Sequence, residues 1–318
     1  MTKIYSFYSG IFADNALEFS KRSSYVREIM LERVYPRRII VPLRQGLGAE
    51  AVPVVKPGDH VLIGSCIAVI PSGVIGAPVH SGISGTVKSI QKITLPNGIS
   101  TSAIEITSDN KRTFHDSIVP RQNLDINAKT VMGIIKNSGI IGMGGEGIPV
   151  IAKMSRAKKY EVKELLVNCL QSEPFATSDL HRINESSDYV VQGALAVAGA
   201  IGVKKIRFLI SKNRKAEREI LESAIERAKK NYQLDIEYEI CLFKERYPQG
   251  YYRLIARALY SVELKAGEIL ENTVGAVLFN CSTMASCWDA IKDGFPMFQR
   301  VITVAGDNGV LHNVLATI

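Results

Sequence analysis

Gly139-Ile-Ile-Gly142-Met-Gly144-Gly145-Glu-Gly147-Ile-Pro149-Val-Ile-Ala-Lys153 is the stretch around which the chain is organised. Glycine has no Cβ, so its backbone reaches positive φ and lies close against a ligand. Successive N–H groups in such a loop form an anion-binding nest, and a helix starting just after it strengthens the nest. A glycine loop taken alone also fits a plain tight turn. Its surroundings decide between the two.

Downstream, beyond residue 120, apolar runs alternate between strand and helix periods. A helix is expected over 128–138, with Gly139 as its C′ residue. Strands follow at 162–168, 205–210, 234–242, 274–280 and 300–306, and helices at 178–201, 215–231, 250–260 and 283–292. Such alternation predicts a parallel or mixed sheet covered on both faces. Function then belongs beyond the carboxyl ends of the strands. Upstream the texture differs. Ile39-Ile40-Val41-Pro42, Ala51-Val52-Pro53-Val54-Val55, Cys66-Ile67-Ala68-Val69-Ile70 and Gly85-Thr86-Val87-Lys88-Ser89-Ile90 are short β-prone runs, separated by turns such as Lys56-Pro57-Gly58-Asp59. They predict a small all-β sandwich or barrel. Residues 1–36 are mixed and read as an extension with one short helix.

The 318 residues are 46% hydrophobic and 22% charged, which is a globular composition. No apolar run reaches the roughly 18 residues that span a bilayer, and the first residues lack the apolar core of a secretory signal. A cytoplasmic protein is expected. The five cysteines, Cys66, Cys169, Cys241, Cys281 and Cys287, include no C-x-x-C pair. Their odd number argues against a disulfide framework, and the histidines are scattered, so no metal site is expected. The net charge of +8 is spread along the chain and has no nucleic-acid-binding signature beside it.

Polar residues collect at four strand ends or loops: the glycine loop, Asn168-Cys-Leu-Gln171-Ser-Glu173-Pro174, Tyr247-Pro-Gln-Gly250, and Asn280-Cys-Ser-Thr283. Each has a bland reading, because Asn and Ser cap helices and Tyr packs in cores with its hydroxyl satisfied. Their order and spacing together resemble one family, the C subunit of the Rnf electron-transport complex, related to the flavin-binding subunit of respiratory complex I. In that family four such turns surround one FMN. The stretch "VPLRQGLGAEAVPVVKPGDHVLIGSCIA", followed by "APVHSGISGTVKSI", resembles the lipoyl-like barrel at the front of the same subunit.

The resemblance implies an α/β, Rossmann-like FMN-binding domain over 121–300, preceded by a lipoyl-like barrel-sandwich domain over 38–120. Residues 1–37 would be an extension and 301–318 the start of a β-grasp segment. It implies FMN contacts from Gly142, Gly144, Gly145, Gly147, Lys153, Asn168, Gln171, Glu173, Tyr247, Gly250, Asn280 and Thr283. The barrel shows no hairpin-tip lysine, since Lys88 sits inside a strand run, so it reads as a docking element. Family members continue into a segment with [4Fe–4S] clusters, and this chain is expected to be cut before it. Expected partners are redox proteins or membrane-complex subunits, reached at the inner face of the membrane. Gln171 and Tyr252 stand where relatives carry acids that hold NADH, so weakened NADH binding is expected. Two other readings remain: a docking module that keeps the fold without flavin, and a Rossmann-type nicotinamide dehydrogenase, for which no strand stands immediately ahead of the glycines.

Overall fold

The computed structural model describes residues 3–7, 31–33, 35–122, 126–170, 173, 176–231, 235–304 and 314–317. In chain order the strands are β1 (Ile4–Tyr5), β2 (Leu31–Arg33), β3 (Arg38–Pro42), β4 (Val52–Pro53), β5 (His60–Val61), β6 (Cys66–Val69) and β7 (Val79–His80). They continue as β8 (Gly85–Thr94), β9 (Ser100–Ser108), β10 (Glu164–Asn168), β11 (Lys205–Ser211), β12 (Glu237–Phe243), β13 (Ala276–Asn280), β14 (Val301–Val304) and β15 (Val314–Thr317). The chain forms two compact units. The barrel unit comprises 34–154 and 286–300, and the sheet unit comprises 1–33, 155–285 and 301–318.

In the barrel unit, β3, β9, β8 and β5 form one antiparallel sheet, and β4, β6 and β7 form another. Alternation along the strands turns Val41, Val61, Ile67, Val87, Ile104 and Ile106 into one apolar core. The turn read from Lys56-Pro57-Gly58-Asp59 is present. Gly58 has φ +94°, and the Lys56 N–H donates to Asp59 Oδ2 at 2.9 Å. Proline sets the first corner of such a turn and glycine supplies the positive φ of the second. Strand β9 lies outside the β-prone runs of the sequence reading. Its Ser-Thr-Ser-Ala-Ile-Glu-Ile-Thr-Ser carries few large apolar residues, yet it pairs with both β3 and β8. After the barrel comes the helix Ala128–Asn137, where the Asn127 side chain accepts from the Thr130 N–H. It ends at Ser138, and Gly139 takes φ +68°, as the C′ position expects.

The sheet unit holds a five-stranded, fully parallel sheet in the order β1-β12-β11-β10-β13. Strands covered on both faces need continuous rather than alternating apolar side chains. Leu165, Leu166 and Val167 of β10 and Phe208, Leu209 and Ile210 of β11 are fully buried. The stretch expected as an N-terminal extension supplies two strands: β1 at the edge beside β12, and β2 in a three-stranded sheet with β15 and β14. The short helix expected before residue 36 falls largely on residues outside those described.

The helix Ser178–Ile201 buries Val190, Val191, Ala194, Val197 and Ala198. The helix Lys215–Asn231 turns Leu221, Ala224, Ile225 and Ala228 inward, and Arg227 pairs with Asp188 of the first helix through two nitrogens at 2.9 and 3.0 Å. Helix 283–292 of the sequence reading is instead Cys281–Trp288 followed by a π-helical turn, Asp289–Asp293. Small residues let Ser178–Ile201 approach that element closely. A Cβ added at Gly193 would lie 1.8 Å from the Met284 carbonyl oxygen. Alanine in a helix interior gains about 1 kcal/mol over glycine in propensity. Overpacking against fixed backbone costs about 1–3 kcal/mol or more, so the clash wins. Gly193→Ala is therefore expected to lower the thermal unfolding midpoint, whereas Gly199→Ala, with nothing within 4 Å of its added Cβ, is expected to hold or raise it.

Candidate functional site

The glycine loop belongs to the barrel unit. Ile141 bridges Pro149, Gly142 N–H donates to the Ile148 carbonyl at 2.8 Å, and Val150 N–H donates to the Ile140 carbonyl at 2.9 Å. The loop is thus pinched shut at its base and leads straight into the helix Val150–Lys159. Gly145 has φ +101° and Gly147 φ +61°, which side chains with a Cβ rarely adopt. The N–H groups of Gly144, Gly145, Glu146 and Gly147 make no hydrogen bond among the described residues. Gly144, Gly145 and Glu146 are exposed, and an added Cβ at Gly145 would meet nothing within 4 Å. Unbonded N–H groups ahead of a helix N-terminus are the chemistry that suits a phosphate. Lys153, half-buried in the first turn of that helix, places a cation near this end, while the exposed Glu146 opposes it.

One residue that shapes the loop escaped the sequence reading. Gly46 packs against Gly147 so closely that an added Cβ would lie 2.2 Å from the Gly147 carbonyl oxygen. The neighbouring Leu47 N–H donates to that same oxygen at 2.9 Å. The only signal in the sequence is the glycine pair of Gln45-Gly46-Leu47-Gly48, which reads equally as a barrel turn.

In the sheet unit, the chain runs from β10 through β11 to β12 in one direction, and β13 then adds on the other side of β10. This reversal of strand order is a topological switch point, the place where open parallel sheets commonly bind ligands. Asn168 and Asn280 are Cα partners at the carboxyl ends of these two strands. Both spend their amides on the protein itself. Asn168 Nδ2 donates to the Gly250 carbonyl at 3.0 Å, and its Oδ1 accepts from Leu170 N–H at 3.0 Å. Asn280 Oδ1 accepts from the N–H groups of Ser282 and Thr283 at 2.9 and 3.4 Å, capping the following helix. Its Nδ2 donates to Asp179 Oδ2 at 2.7 Å.

Asp179, in the first turn of Ser178–Ile201, is the second residue the sequence reading missed. It also accepts from the Ser282 hydroxyl, so it locks the start of two helices together. An acid in a first turn is common for dipole reasons alone and carries no mark of such a role. The same helix start is held by Thr303 of β14, whose Oγ1 accepts from the N–H groups of Thr177 and Ser178 at 2.9 and 3.1 Å. Glu173 is exposed as a residue. Even so, partial desolvation of its carboxyl, followed by the charge of Asp179, holds it above the ordinary carboxylate range.

Of the remaining expected residues, Thr283 is fully buried. Gly250 is tied to Asn168, and Tyr247 is 44% exposed. Gln171 lies outside the described residues. The two tyrosines after Gly250 differ. Tyr251 is 46% exposed, whereas Tyr252 packs partly against the core, and its hydroxyl accepts from Arg253 Nε at 3.1 Å. Their rings meet edge to face with centroids 4.8 Å apart.

Residues 5–111 match the family model described as the RnfC barrel sandwich hybrid domain, and residues 135–289 match the one described as the Nuo51 FMN-binding domain. Over most of its length the chain is similar to the C subunits of Rnf complexes. It is 30% identical over 302 residues to the C subunit of the proton-translocating ferredoxin:NAD(+) oxidoreductase complex of Clostridium ljungdahlii, covering 95% of this chain and 63% of that protein. The C subunit of the Na(+)-translocating complex of Acetobacterium woodii is 29% identical over 273 residues, covering 86% of this chain and 60% of that protein. For the C subunit of the ion-translocating oxidoreductase complex of Rhodobacter capsulatus the identity is 28%, with 85% of this chain and 51% of the relative covered. The chain therefore spans between half and two thirds of the length of these Rnf C subunits. A chain in the crystal structure of air-oxidized NAD+-reducing [NiFe]-hydrogenase superposes with a TM-score of 0.52 at 16% identity, over 60% of this chain and 36% of that one. That likeness is one of fold.

Asn168 joins β10 to the Tyr247–Gly250 turn through a buried amide, so truncation strands a carbonyl and an N–H. Leaving a buried polar group unpaired costs about 1–3 kcal/mol. Asn168→Ala is expected to lose about that much in denaturant unfolding, and Asn168→Asp more at neutral pH, because the acid keeps the acceptor for Leu170 but sets a buried charge against the Gly250 carbonyl. Unchanged stability in either variant would contradict this account of the amide.

Proposed function

We propose that this chain is an electron-transfer flavoprotein module that binds FMN through the glycine loop. The single observation that carries the reading is the run of four unbonded N–H groups from Gly144 to Gly147, held ahead of a helix N-terminus. In support, the match to the Nuo51 FMN-binding domain spans the same loop and the switch-point asparagines. When bound, FMN supplies exchange of one or two electrons. The loop N–H groups would take the phosphate, and Lys153 would add positive charge beside it. Glycine at 144 and 145 would let the backbone approach a flat ring. Within the sheet unit, Asn168 keeps one N–H and one lone pair beyond its internal bonds and Asn280 keeps one N–H, so both position the surrounding turns first.

Electrons would enter from NADH or a protein donor and leave toward iron–sulfur clusters outside these residues or toward a partner reductase. The partners would be subunits of an ion-translocating oxidoreductase complex, as in the named relatives. No helix among the described residues is long and apolar enough to cross a membrane, and these residues would sit at the periphery of such a complex. The internal satisfaction of both asparagines also favours a second reading, a docking module that keeps the fold without flavin.

Flavin titration decides between the two readings. The purified chain is expected to quench FMN fluorescence at one-to-one stoichiometry. Gly145→Val, which fills the open face of the loop, and Gly46→Ala, which displaces Gly147, are each expected to weaken binding at least tenfold. No saturable quenching by the unmodified chain would favour the docking module, and unchanged affinity in both variants would move the site away from the loop.

The donor is a separate question. Losing a charge-assisted contact costs more than the 0.5–1.5 kcal/mol typical of a neutral hydrogen bond. With Gln171 and Tyr252 in place of two acids, NADH affinity is expected to fall by about one to two orders of magnitude, at about 1.4 kcal/mol per factor of ten. In stopped-flow absorbance, FMN-loaded protein is expected to be reduced slowly by NADH and readily by dithionite. Gln171→Glu with Tyr252→Glu is expected to speed the NADH reaction, and rapid saturable reduction of the unmodified protein at micromolar NADH would refute the assignment.

A further inference from the structure

Each switch-point asparagine is followed directly by a cysteine, Cys169 after β10 and Cys281 after β13. Asn168 and Asn280 are paired in parallel register, so the two cysteines leave their strands side by side. Neighbouring strands lie about 4.8 Å apart, inside the roughly 4.4–6.8 Å Cα separation that a disulfide bridges. Both side chains are buried, at 1% and 0% exposure. The neighbouring Cys169 thiol, followed by burial and the charge of Asp179, holds the Cys281 thiol well above the ordinary range. Cys281 Sγ also lies 4.0 Å from the Asp179 carbonyl oxygen. The other cysteines are placed differently. Cys241 contacts Glu239 on β12, Cys287 lies six residues along the helix from Cys281, and Cys66 is exposed in the barrel unit.

We propose that Cys169 and Cys281 form a reversible dithiol–disulfide couple, a two-electron centre at the carboxyl ends of β10 and β13. On oxidation two S–H bonds break and one S–S bond forms, and two protons and two electrons leave. The acceptor is a small two-electron oxidant of the flavin or diazene class, which takes both electrons and both protons. A dithiol or phosphine reductant reverses the step. Burial shapes the chemistry in two ways. It disfavours the thiolate that attacks external disulfides, so exchange with protein thiols is suppressed. It also keeps the two sulfurs together, so that once one is oxidised its partner is the nearest nucleophile. Closure would tie the start of the 169–177 connection to the first turn of Cys281–Trp288, fixing the register of the two asparagines. The flavin assignment is independent of this couple, because a diazene oxidant tests the thiols without any flavin.

The test uses the whole native chain, treated with diamide, quenched with N-ethylmaleimide, denatured and digested with trypsin. The expected product joins the peptide 164–182, which holds Cys169, to 266–292, which holds Cys281 and Cys287. Fragmentation is expected to place the bond at Cys281, and dithiothreitol to dissolve it. Equilibration in redox buffers is expected to follow a two-electron Nernst curve, and Cys66→Ser is expected to leave that curve unchanged. Full alkylation of both cysteines after oxidation, a bond between Cys281 and Cys287, or a stable mixed disulfide with glutathione at Cys169 would overturn the proposal. The measurement needs only the unmodified protein, so it does not depend on a variant that folds.

Discussion

Strand β10 is hydrogen-bonded along both edges, to β11 and to β13, and the functional end of the sheet unit rests on that double pairing. Parallel register sets Asn168 level with Leu209 on one side and Asn280 on the other. The chain reverses its direction of winding at this strand, yet the helices that follow β10 and β13 are held together, by Asp179 at their starts and by Gly193 against Met284 along them. The pair of amide side chains at the strand ends is used to hold its surroundings. Asn168 fixes the Tyr247–Gly250 turn and Asn280 caps a helix while gripping Asp179. A site built this way is rigid because its own polar groups are satisfied before any ligand arrives.

The two ends of the sheet are chemically distinct. At the amino ends, Arg207 of β11 pairs with Glu164 of β10 at 3.3 Å and Glu239 of β12 at 2.9 Å, and the Tyr260 hydroxyl donates to Glu164 at 2.5 Å. Burial, followed by that hydrogen bond to Glu164, holds the Tyr260 hydroxyl far above its ordinary range. Charges withdrawn from water cost several kcal/mol each and are tolerated only when paired. This cluster therefore resists any slip among three strands, since a shift of one residue would separate the charges and turn buried side chains to the wrong face. The carboxyl ends carry amides, hydroxyls, thiols and the Glu173–Asp179 pair, groups that can bind or exchange rather than only lock.

The barrel unit contributes constraint of another kind. Its antiparallel strands build a small core, and the Gln45-Gly46-Leu47 turn of that barrel grips the glycine loop through one carbonyl oxygen. Positive φ at Gly145 and Gly147 is sustained because the base of the loop is bonded shut and its flank is packed. A loop of four glycines left alone would carry large conformational entropy. Here much of that entropy is removed in advance, and N–H groups remain unbonded.

Much of this was legible in the amino-acid order. The helix Lys215–Asn231 and the helix Ser178–Ile201 begin and end where their patterns do, and the Lys56-Pro57-Gly58-Asp59 turn forms because proline and glycine dictate its dihedrals locally. The four candidate segments were visible as polar residues at strand ends, and their spacing pointed to the family. Other features were not legible. Strand β9 is mostly hydroxyl-bearing and small, and it becomes a strand because β3 and β8 offer it two edges. Gly46 matters only because Gly147 arrives beside it, about a hundred residues later in the chain. Asp179 and the adjacent thiols of Cys169 and Cys281 have no mark in the sequence, since their partners lie more than a hundred residues away. The sequence by itself determined the long helices, most strands of the parallel sheet, the local turns and the family resemblance, because those follow from neighbours along the chain. Only the tertiary structure decided which amides are already spent, which glycine packs on which carbonyl and which two thiols meet, because those depend on distances that pairing and packing create.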